Sequence, residues 1–434
     1  MNLQPDTATR SFKAEEIQRL IQAGNPELAL QRCLAAIDAG VEPVRVRLLL
    51  AACRHRLGEP ELAVQALRQA AELHPAPELR EQIANAMVQL RDYSAAWPVI
   101  GQLDFSRPSA VLLQARCRWG LGQHQAATGQ LDALSGILPQ WPALALSHAR
   151  MLINLDRHRQ ALARLETALA AHPEETALAH QKALLLVSLE GLDSAANWLA
   201  GRPNPAEPLR QLLEAIEFIA GRRDSRPDHP GPDWEGLHTL LAEPGRPKWF
   251  GDNVALLRHA CSQAPGHGAL IECGVYHGRT VTLLADWANG RQVYGFDSFQ
   301  GLPEAWSASE PAGSYSTGGQ LPAVPETVHL IPGWFAETLP EFAATLEAPI
   351  ALLHVDCDLY RSAVDVFEAL GPKLAPGSIV VFDEYTGYAG WRGHEYRAWQ
   401  EHLRATGTRA RLIGAQLLGQ SAAFEITENG CARS

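Results

Sequence analysis

The sequence lacks the patterns that mark several common classes of protein. Its seven cysteines are scattered, odd in number and without a CxxC spacing, so neither a disulfide framework nor a cysteine-bound zinc site is indicated. No apolar run approaches the length of a membrane span, and the first residues do not form a basic segment followed by an apolar core. We therefore expect an unexported protein of the reducing cytoplasm that makes no membrane contact.

Clustered positive charge is equally scarce. The net charge is -11 at pH 7, and the one basic run is the short Gly221-Arg-Arg223. Contacts to nucleic-acid phosphates need clustered lysine and arginine, so we expect small molecules or proteins as partners and no nucleic acid. The composition is otherwise that of a globular protein, with 46% hydrophobic residues among 434, which is enough chain for two or more domains.

A repeat with a period near 34 residues organises the first 200 residues. A helix-ending pair recurs at Ala23-Gly24, Leu57-Gly58, Leu90-Arg91, Leu121-Gly122, Leu155-Asp156 and Leu189-Glu190. Five positions after each pair stands an alanine, at Ala29, Ala63, Ala96, Ala127, Ala161 and Ala195, and the four middle copies end at Pro75, Pro108, Pro139 and Pro173. A small residue lets two helices approach and a proline ends the second one, so each copy predicts a helix-turn-helix unit.

This pattern resembles tetratricopeptide repeats. The resemblance implies an all-helical solenoid over residues 1–220, in which the apolar helix near 209–220 caps the end. Such a domain binds a peptide or protein, or it mediates self-association or docks on its own catalytic domain, and both interpretations are open. Residues 221–233 are rich in proline, glycine and charge, which predicts a linker before a second domain at 234–434.

The second domain alternates between strand-like and helical segments. The strand-like runs begin at Ala269, Gln292, Val328, Ile350, Ser378, Arg409 and Ala422. This alternation predicts a Rossmann-like α/β domain with a seven-stranded, mostly parallel sheet and helices on both faces. Ligands of such sheets bind beyond the carboxyl ends of the strands.

Acidic residues follow two of these strands directly. Asp356 and Asp358 end the run from Ile350, and Asp383 and Glu384 end the run from Ser378. Carboxylates that share one sheet edge repel each other strongly unless a hard divalent cation or shared protons neutralise them. Mg²⁺ or another divalent cation takes such oxygen ligands, so the pattern predicts a metal-assisted active site. Solvated strand-end acids or helix caps are the other interpretation.

A glycine-containing turn follows the first strand, from Glu272 to Thr280. Glycine lets a cofactor approach the backbone, and the N-terminus of the following helix favours a negative group such as a carboxylate. The second strand ends in Asp297, where an acid is placed to accept hydrogen bonds from ribose hydroxyls. The chain has neither GxGxxG nor GxxxxGK[ST], which argues against nicotinamide and nucleotide triphosphate cofactors.

Five segments together resemble the macrocin O-methyltransferase family of class I S-adenosyl-L-methionine-dependent methyltransferases. They are Glu272-Cys-Gly-Val-Tyr-His-Gly278, Tyr294-Gly-Phe-Asp-Ser-Phe-Gln-Gly-Leu-Pro303, Gly333-Trp-Phe-Ala-Glu-Thr-Leu-Pro340, His354-Val-Asp-Cys-Asp-Leu-Tyr360 and Phe382-Asp-Glu384. The resemblance implies methyl transfer from S-adenosylmethionine to a sugar hydroxyl with a divalent metal, usually magnesium. Many members have two aspartates where this chain has Asp383-Glu384.

The resemblance also implies roles for individual residues. Asp356, Asp383 and Glu384 would bind the metal, and Asp358 would be the general base. The residues implied in cofactor binding are Glu272, Gly274, Tyr276, Gly278, Thr280, Asp297, Ser298, Gly333 and Trp334.

Several of these residues have a second interpretation. Asp358 has a simpler role as the cap of the next helix. His277, in the glycine turn, is the second candidate for the base or a substrate contact. His354 is expected to be a packed core histidine. Trp334 and Phe335 wall the adenine pocket or pack in the core.

Residues 304–320 form a glycine-rich insertion of low apolar content. Loops of this length inside an α/β domain are often lids, so we predict that it covers the acceptor, with a mobile surface loop as the alternative. The whole sequence predicts a metal-dependent O-methyltransferase that acts on a sugar or glycosylated metabolite. The alternatives are a methyltransferase with a catechol-like or protein acceptor and a repeat scaffold that binds the cofactor without turnover.

Overall fold

The computed structural model describes residues 14–40, 43–223, 227, 229–307 and 310–433. This range leaves out residues 1–13, parts of the predicted linker (224–226 and 228) and two residues of the predicted lid (308 and 309). Within it, we find no helix with the length and hydropathy that crossing a bilayer requires.

The chain forms two compact units, one of residues 1–127 with 302–314, the other of residues 128–301 with 315–434. The domain boundaries at 220 and 234 stay predictions.

The first unit consists of helices joined by short turns. The helices up to residue 132 are α1 (Ala14–Gln22), α2 (Pro26–Asp38), α3 (Pro43–Arg56), α4 (Pro60–Glu72), α5 (Pro77–Gln89), α6 (Tyr93–Ile100), α7 (Pro108–Gly120) and α8 (His124–Asp132), of which α8 continues into the second unit. Buried residues such as Leu67, Ile83 and Met87 form the core of the first unit.

Residues Leu302–Ser314 also belong to the first unit. Leu302 exchanges backbone hydrogen bonds with Gly313 and Ser314, at 2.8 and 2.9 Å, which close this segment on itself. Glu310 forms an ion pair with Arg91, with 3.0 Å between Oε1 and Nη2. The segment overlaps the predicted lid, whose function stays a prediction.

The second unit begins with more helices of the same kind. They are α9 (Pro142–Asn154), α10 (His158–Ala171), α11 (Thr176–Glu190), α12 (Leu192–Ala200), α13 (Glu207–Ile219) and α14 (Pro232–Ala242). One continuous hydrophobic core contains Leu165 and Leu186 of these helices together with Leu353 and Phe424 of the sheet described below. The helices from α9 onward are therefore packed as part of the unit that holds the sheet.

The predicted repeat turns are confirmed. The second residue of five predicted pairs has a left-handed backbone, with φ values of 77°, 74°, 59°, 74° and 60° at Gly24, Gly58, Arg91, Gly122 and Asp156. The sixth turn lies one residue later than predicted, at Gly191, because α11 continues through Glu190. All six predicted alanines are fully buried, as close helix packing requires.

Pro108 differs from its predicted role. It is the first residue of α7 and does not end the preceding helix. Proline is favoured at this position because the first turn of a helix needs no backbone N–H donor. The same position is occupied by Pro26, Pro60, Pro77 and Pro142, so several prolines of the repeat start helices.

The second unit contains a sheet of eight strands, where the sequence predicts seven. The strands are β1 (Gly245–Phe250), β2 (Ala269–Cys273), β3 (Val293–Asp297), β4 (Val328–Pro332), β5 (Ile350–Val355), β6 (Leu374–Phe382), β7 (Arg409–Gln416) and β8 (Ala422–Glu428). The additional strand, β1, begins with Gly-Arg-Pro-Lys and has no apolar run. It lies at the edge of the sheet, where a proline is tolerated.

The strand order is β1-β7-β8-β6-β5-β2-β3-β4, and only β8 runs antiparallel to its neighbours. The remaining helices are α15 (Asn253–Gln263), α16 (Arg279–Trp287), α17 (Phe335–Thr345), α18 (Tyr360–Leu370) and α19 (Glu395–Thr406). The chain builds one side of the sheet from β2 to β4 and then returns to place β5 on the other side of β2. The carboxyl ends of β2 and β5 therefore form the switch point where ligands of open α/β sheets bind.

Candidate active site

The ends of three neighbouring strands bring the predicted site together. Val355, the last residue of β5, lies in register with Cys273 of β2 and Phe382 of β6. The backbone pairing continues one step further, because the amide of Asp356 donates to Cys273 at 2.9 Å and that of Asp383 donates to Val355 at 3.0 Å. The glycine turn and the acidic residues consequently leave the sheet at one edge.

Three of the predicted acids converge. One carboxylate oxygen from each of Asp356, Asp383 and Glu384 lies within 4.8 Å of the others. In the part of the chain that the structure describes, no lysine or arginine pairs with any of the three, and the buried Oε2 of Glu384 has no hydrogen-bond partner. An unpaired buried carboxylate oxygen is costly, and this donor set has the charge and oxygen chemistry that a hard divalent cation takes.

The electrostatics of the cluster reflect its uncompensated charge. Burial and the charges of Asp383 and Asp358 raise the pKa of Asp356 well above its usual range. Burial and the charges of Asp383 and Asp356 raise the pKa of Glu384 in the same way. A bound divalent cation would offset this repulsion and favour the charged, proton-free carboxylates.

Asp358 is placed beside the cluster. Its charge contributes to the raised pKa values of both Asp356 and Glu384. Its backbone is left-handed, with φ of 60°, which is uncommon for a residue with a side chain. The N-cap of helix α18 is Leu359, one residue after Asp358.

A fifth carboxylate, Glu395, belongs to the same region and was not predicted. It is the first residue of α19, is fully buried, and its Oε1 accepts the amide N–H of Cys357 at 3.1 Å. Burial raises its pKa to about 8, against the opposing hydrogen bond from Cys357. A glutamate in the first turn of a helix is common on electrostatic grounds alone, so the sequence carried no signal for this role.

The glycine turn after β2 is held in one conformation. A Cβ on Gly274, where φ is 104°, would lie 1.6 Å from the carbonyl oxygen of Asp356, so only glycine fits. Asp297 accepts the amides of Val275 and Tyr276, both at 2.8 Å, through Oδ2 and the amide of Phe299 at 2.7 Å through Oδ1. The carboxylate predicted to bind ribose thus also fixes the turn.

Glu272 and Thr280 lie below this turn. Glu272 is completely buried and accepts hydrogen bonds from the Thr280 hydroxyl at 2.9 Å and from Nδ1 of His354 at 3.0 Å. His354 is buried, as predicted, but it is paired with a carboxylate and is not simply an apolar packing element. The cofactor contacts assigned to Glu272 and Thr280 stay predictions.

The other predicted cofactor residues lie at the ends of β3 and β4 and around the turn. The Gly333 amide donates to Asp297 at 3.0 Å, which joins these two strand ends. Ser298 accepts the amide of Gln300 at 3.1 Å. Trp334 is the partly exposed N-cap of α17, while the adjacent Phe335 packs against the core.

Two of the candidates on the glycine turn are aromatic. The rings of Tyr276 and His277 are 3.9 Å apart, and both are partly exposed. Gly278 is the left-handed N-cap of α16, with φ of 76°. The structure thus brings the predicted cofactor residues to one edge, and their individual roles stay predictions.

Comparison with known proteins identifies the family. A family profile described as a methyltransferase domain matches residues 271–385. The chain is 30% identical over 190 residues to the 8-demethyl-8-(2,3-dimethoxy-alpha-L-rhamnosyl)-tetracenomycin-C 4'-O-methyltransferase of Streptomyces olivaceus, an overlap of 38% of this chain and 69% of the relative. It is also 30% identical over 215 residues to the mycinamicin III 3''-O-methyltransferase of Micromonospora griseorubida, an overlap of 43% and 79%. The chain belongs to the macrocin O-methyltransferase family.

Members of the macrocin O-methyltransferase family are S-adenosylmethionine-dependent enzymes. A solved structure, that of the O-methyltransferase NovP, is 24% identical and has a TM-score of 0.33, with 50% of this chain and 99% of that one aligned. The matched range 271–385 contains the glycine turn and the four predicted acids that follow β5 and β6. Glu395 lies beyond this range.

Proposed function

We propose that this chain is a metal-dependent O-methyltransferase that transfers a methyl group from S-adenosylmethionine to a hydroxyl of a sugar or glycosylated metabolite. The observation that supports it best is the convergence of Asp356, Asp383 and Glu384 beside the glycine turn at the switch point. The name of one relative specifies a rhamnosyl-bearing acceptor, which supports a sugar-linked substrate.

The proposed metal ligands are Asp356, Asp383 and Glu384, and the cation is Mg²⁺ or a similar hard ion. The unpartnered buried oxygen of Glu384 supports its inclusion, because glutamate at this position reaches the same volume as the two aspartates. The turn from Gly274 to Gly278 together with Asp297 would hold the cofactor, since the start of α16 favours a negative group such as a carboxylate.

The proposed chemistry divides between these groups. When bound, the cofactor supplies an electrophilic methyl group and the cation stabilises negative charge on the acceptor oxygen. Asp358 takes the proton that the hydroxyl loses, with His277 as the second candidate. The turn and the strand ends would restrict the motion of a bound cofactor and acceptor, which would lower the entropic part of the barrier.

The proposal extends to the rest of the chain. Residues 234–434 carry catalysis, and residues 1–220 bind a protein partner or a second copy of the chain. The enzyme then works on small molecules in the cytoplasm. Size-exclusion chromatography with light scattering tests self-association directly, since a purely monomeric protein leaves binding of another protein or docking on the catalytic domain.

The test combines binding and turnover. Calorimetry with S-adenosylmethionine, with and without Mg²⁺, is followed by a radiolabelled methyl transfer screen against glycans and glycosides from the source cell. We expect Asp356→Ala and Asp383→Ala each to lower methyl transfer by about a hundredfold or more while cofactor affinity is retained. Asp286→Asn, an exposed aspartate on α16, is the matched control and should behave as the wild type.

The outcomes separate the alternatives. Failure to bind S-adenosylmethionine would contradict any methyltransferase function. Cofactor binding without transfer to any glycan, catechol or protein acceptor would favour a scaffold. Full activity of both alanine variants in the presence of a chelator would refute the metal site.

A further inference from the structure

A buried polar network joins α10 and α11 to the start of α15. Asp252 is the N-cap of α15 and accepts the Ala255 amide at 2.9 Å. Its other partners come from the preceding helices, because Nε2 of His158 lies 3.0 Å from Oδ1 and the Ser188 hydroxyl donates to Oδ2 at 2.6 Å. Asp252 is 7% exposed and His158 is 3% exposed, so the network is an interior contact.

The backbone is equally close at this point. Ser188 also accepts the amide of Gly251 at 2.9 Å. A Cβ on Gly251 would lie 1.9 Å from the carbonyl oxygen of Leu184, so α11 lies directly against residues 251 and 252. Arg258, further along α15, forms a hydrogen bond with Asp156 at 2.6 Å, just before α10. Helices α10 and α11 therefore fix both the position and the direction of α15.

The residue after Asp252 reaches the acidic cluster. Nδ2 of Asn253 donates to Oδ1 of Asp383 at 2.9 Å. A hydrogen bond to one oxygen of a ligating carboxylate fixes the orientation of the other, and such supporting partners commonly change metal affinity by 10- to 100-fold. Two consecutive residues thus have different partners: Asp252 bonds to helices α10 and α11, and Asn253 bonds to Asp383.

We propose that Asn253 is a positioning residue that orients Asp383 toward the metal, and that α10 and α11 hold Asn253 in place through Asp252. The inference rests on the proposed metal function and adds to it. In this arrangement the last helical repeats are part of the catalytic structure as well as a binding module. A displacement of α11 is transmitted through Ser188 and Asp252 to the metal ligand.

The test measures metal binding, not only turnover. Titration calorimetry of the full chain with Mg²⁺, at saturating S-adenosylmethionine and without acceptor, should show a loss of affinity of about 10- to 100-fold in Asn253→Ala. Cofactor affinity and the unfolding midpoint should stay those of the wild type. Asn197→Ala, which removes an exposed asparagine of α12, is the matched control and should bind Mg²⁺ normally.

Ser188→Ala tests the second half of the proposal, since it leaves Asn253 intact. We expect a smaller loss of Mg²⁺ affinity, of a few fold, because Asp252 loses its side-chain bond to α11 and keeps its bond to His158 of α10. Unchanged affinity in Asn253→Ala would overturn the positioning role, and unchanged affinity in Ser188→Ala alone would overturn the role of the helices. A wild-type chain that binds no Mg²⁺ would instead refute the proposed metal function itself.

Discussion

At the scale of single residues, the acidic cluster is supported by a hydrogen bond to the backbone that no sequence motif predicts. Glu395 accepts the amide of Cys357, and Cys357 stands between Asp356 and Asp358. Together with the bond from the Asp356 amide to Cys273, this hydrogen bond holds the segment that carries a proposed metal ligand and the proposed base. The neighbouring Cys357 thiol lies 3.6 Å from the same oxygen, which makes Glu395 the common partner of that residue.

Two substitutions of Glu395 should distinguish its role as a hydrogen-bond acceptor from the role of its charge. Glu395→Ala leaves the buried Cys357 amide without a partner, which costs about 1–3 kcal/mol of folding stability and should lower kcat more than it changes the KM for the cofactor. Glu395→Gln keeps an acceptor oxygen and should recover most of kcat. Denaturant unfolding and steady-state kinetics check both variants. Equal defects in the two would contradict a role through the amide bond.

The predicted acidic residues lie close together because the topology of the sheet determines their positions. Asp356, Asp383 and Glu384 directly follow the parallel strands β5 and β6, and the carboxyl ends of parallel strands lie at one edge of the sheet. Glu395 and Asn253 are helix-start residues, and nothing local distinguishes them from ordinary polar residues at such positions. Their roles depend on which helix packs beside which strand. This packing cannot be predicted from the local pattern of a single sequence.

At the scale of elements, the strands with apolar runs were predictable and the edge strand was not. The runs from Ala269, Ile350 and Ser378 are buried on both faces and alternate with helices, which is the pattern of a parallel sheet. Strand β1 pairs only with β7 and is half exposed, so its sequence needs no apolar run. The repeat turns were predictable because a left-handed residue recurs at nearly constant spacing.

The contact of α10 with α15 should make stability depend on pH. Burial lowers the pKa of His158, but the carboxylates of Asp156 and Asp252, at 3.1 and 3.0 Å from its two ring nitrogens, outweigh this and raise it to about 9 from 6.5. A raised histidine pKa gives stability that is fully present below pH 6.5 and is lost as the pH rises through 9, by about 3 kcal/mol. Other charged groups also line this contact, namely Arg258, which is bonded to Asp156, and Arg157, Arg159 and Lys248.

Denaturant unfolding between pH 6 and pH 9.5 measures this dependence. His158→Asn keeps a polar side chain but cannot become charged, so its stability should change less over the same window. The difference between the two proteins isolates His158, because other groups such as Glu395 titrate in both. Identical pH profiles would show that His158 is not charged in the folded protein.

At the scale of the whole molecule, sequence repeats and packing units need not coincide. The repeat pattern runs to about residue 200, whereas the core that contains the sheet already includes Leu165, Leu186 and Leu212. Period and turn chemistry are local properties, so they mark where helices start and end. Which helices share a core with the sheet is set by side-chain contacts that are far apart in sequence.

Two truncations should therefore behave differently. A variant that begins at Gly221 removes every helix from α9 to α13 and exposes the core residues that packed against them, so we expect it to aggregate or to lack a cooperative unfolding transition. A variant that begins at Gly122 keeps this core intact, and we expect it to unfold cooperatively and to bind S-adenosylmethionine. Circular dichroism, light scattering and calorimetry distinguish the two. If the shorter variant were folded and bound both cofactor and Mg²⁺ as tightly as the full chain, the helices would be dispensable, and the coupling of α11 to Asp383 would be wrong as well.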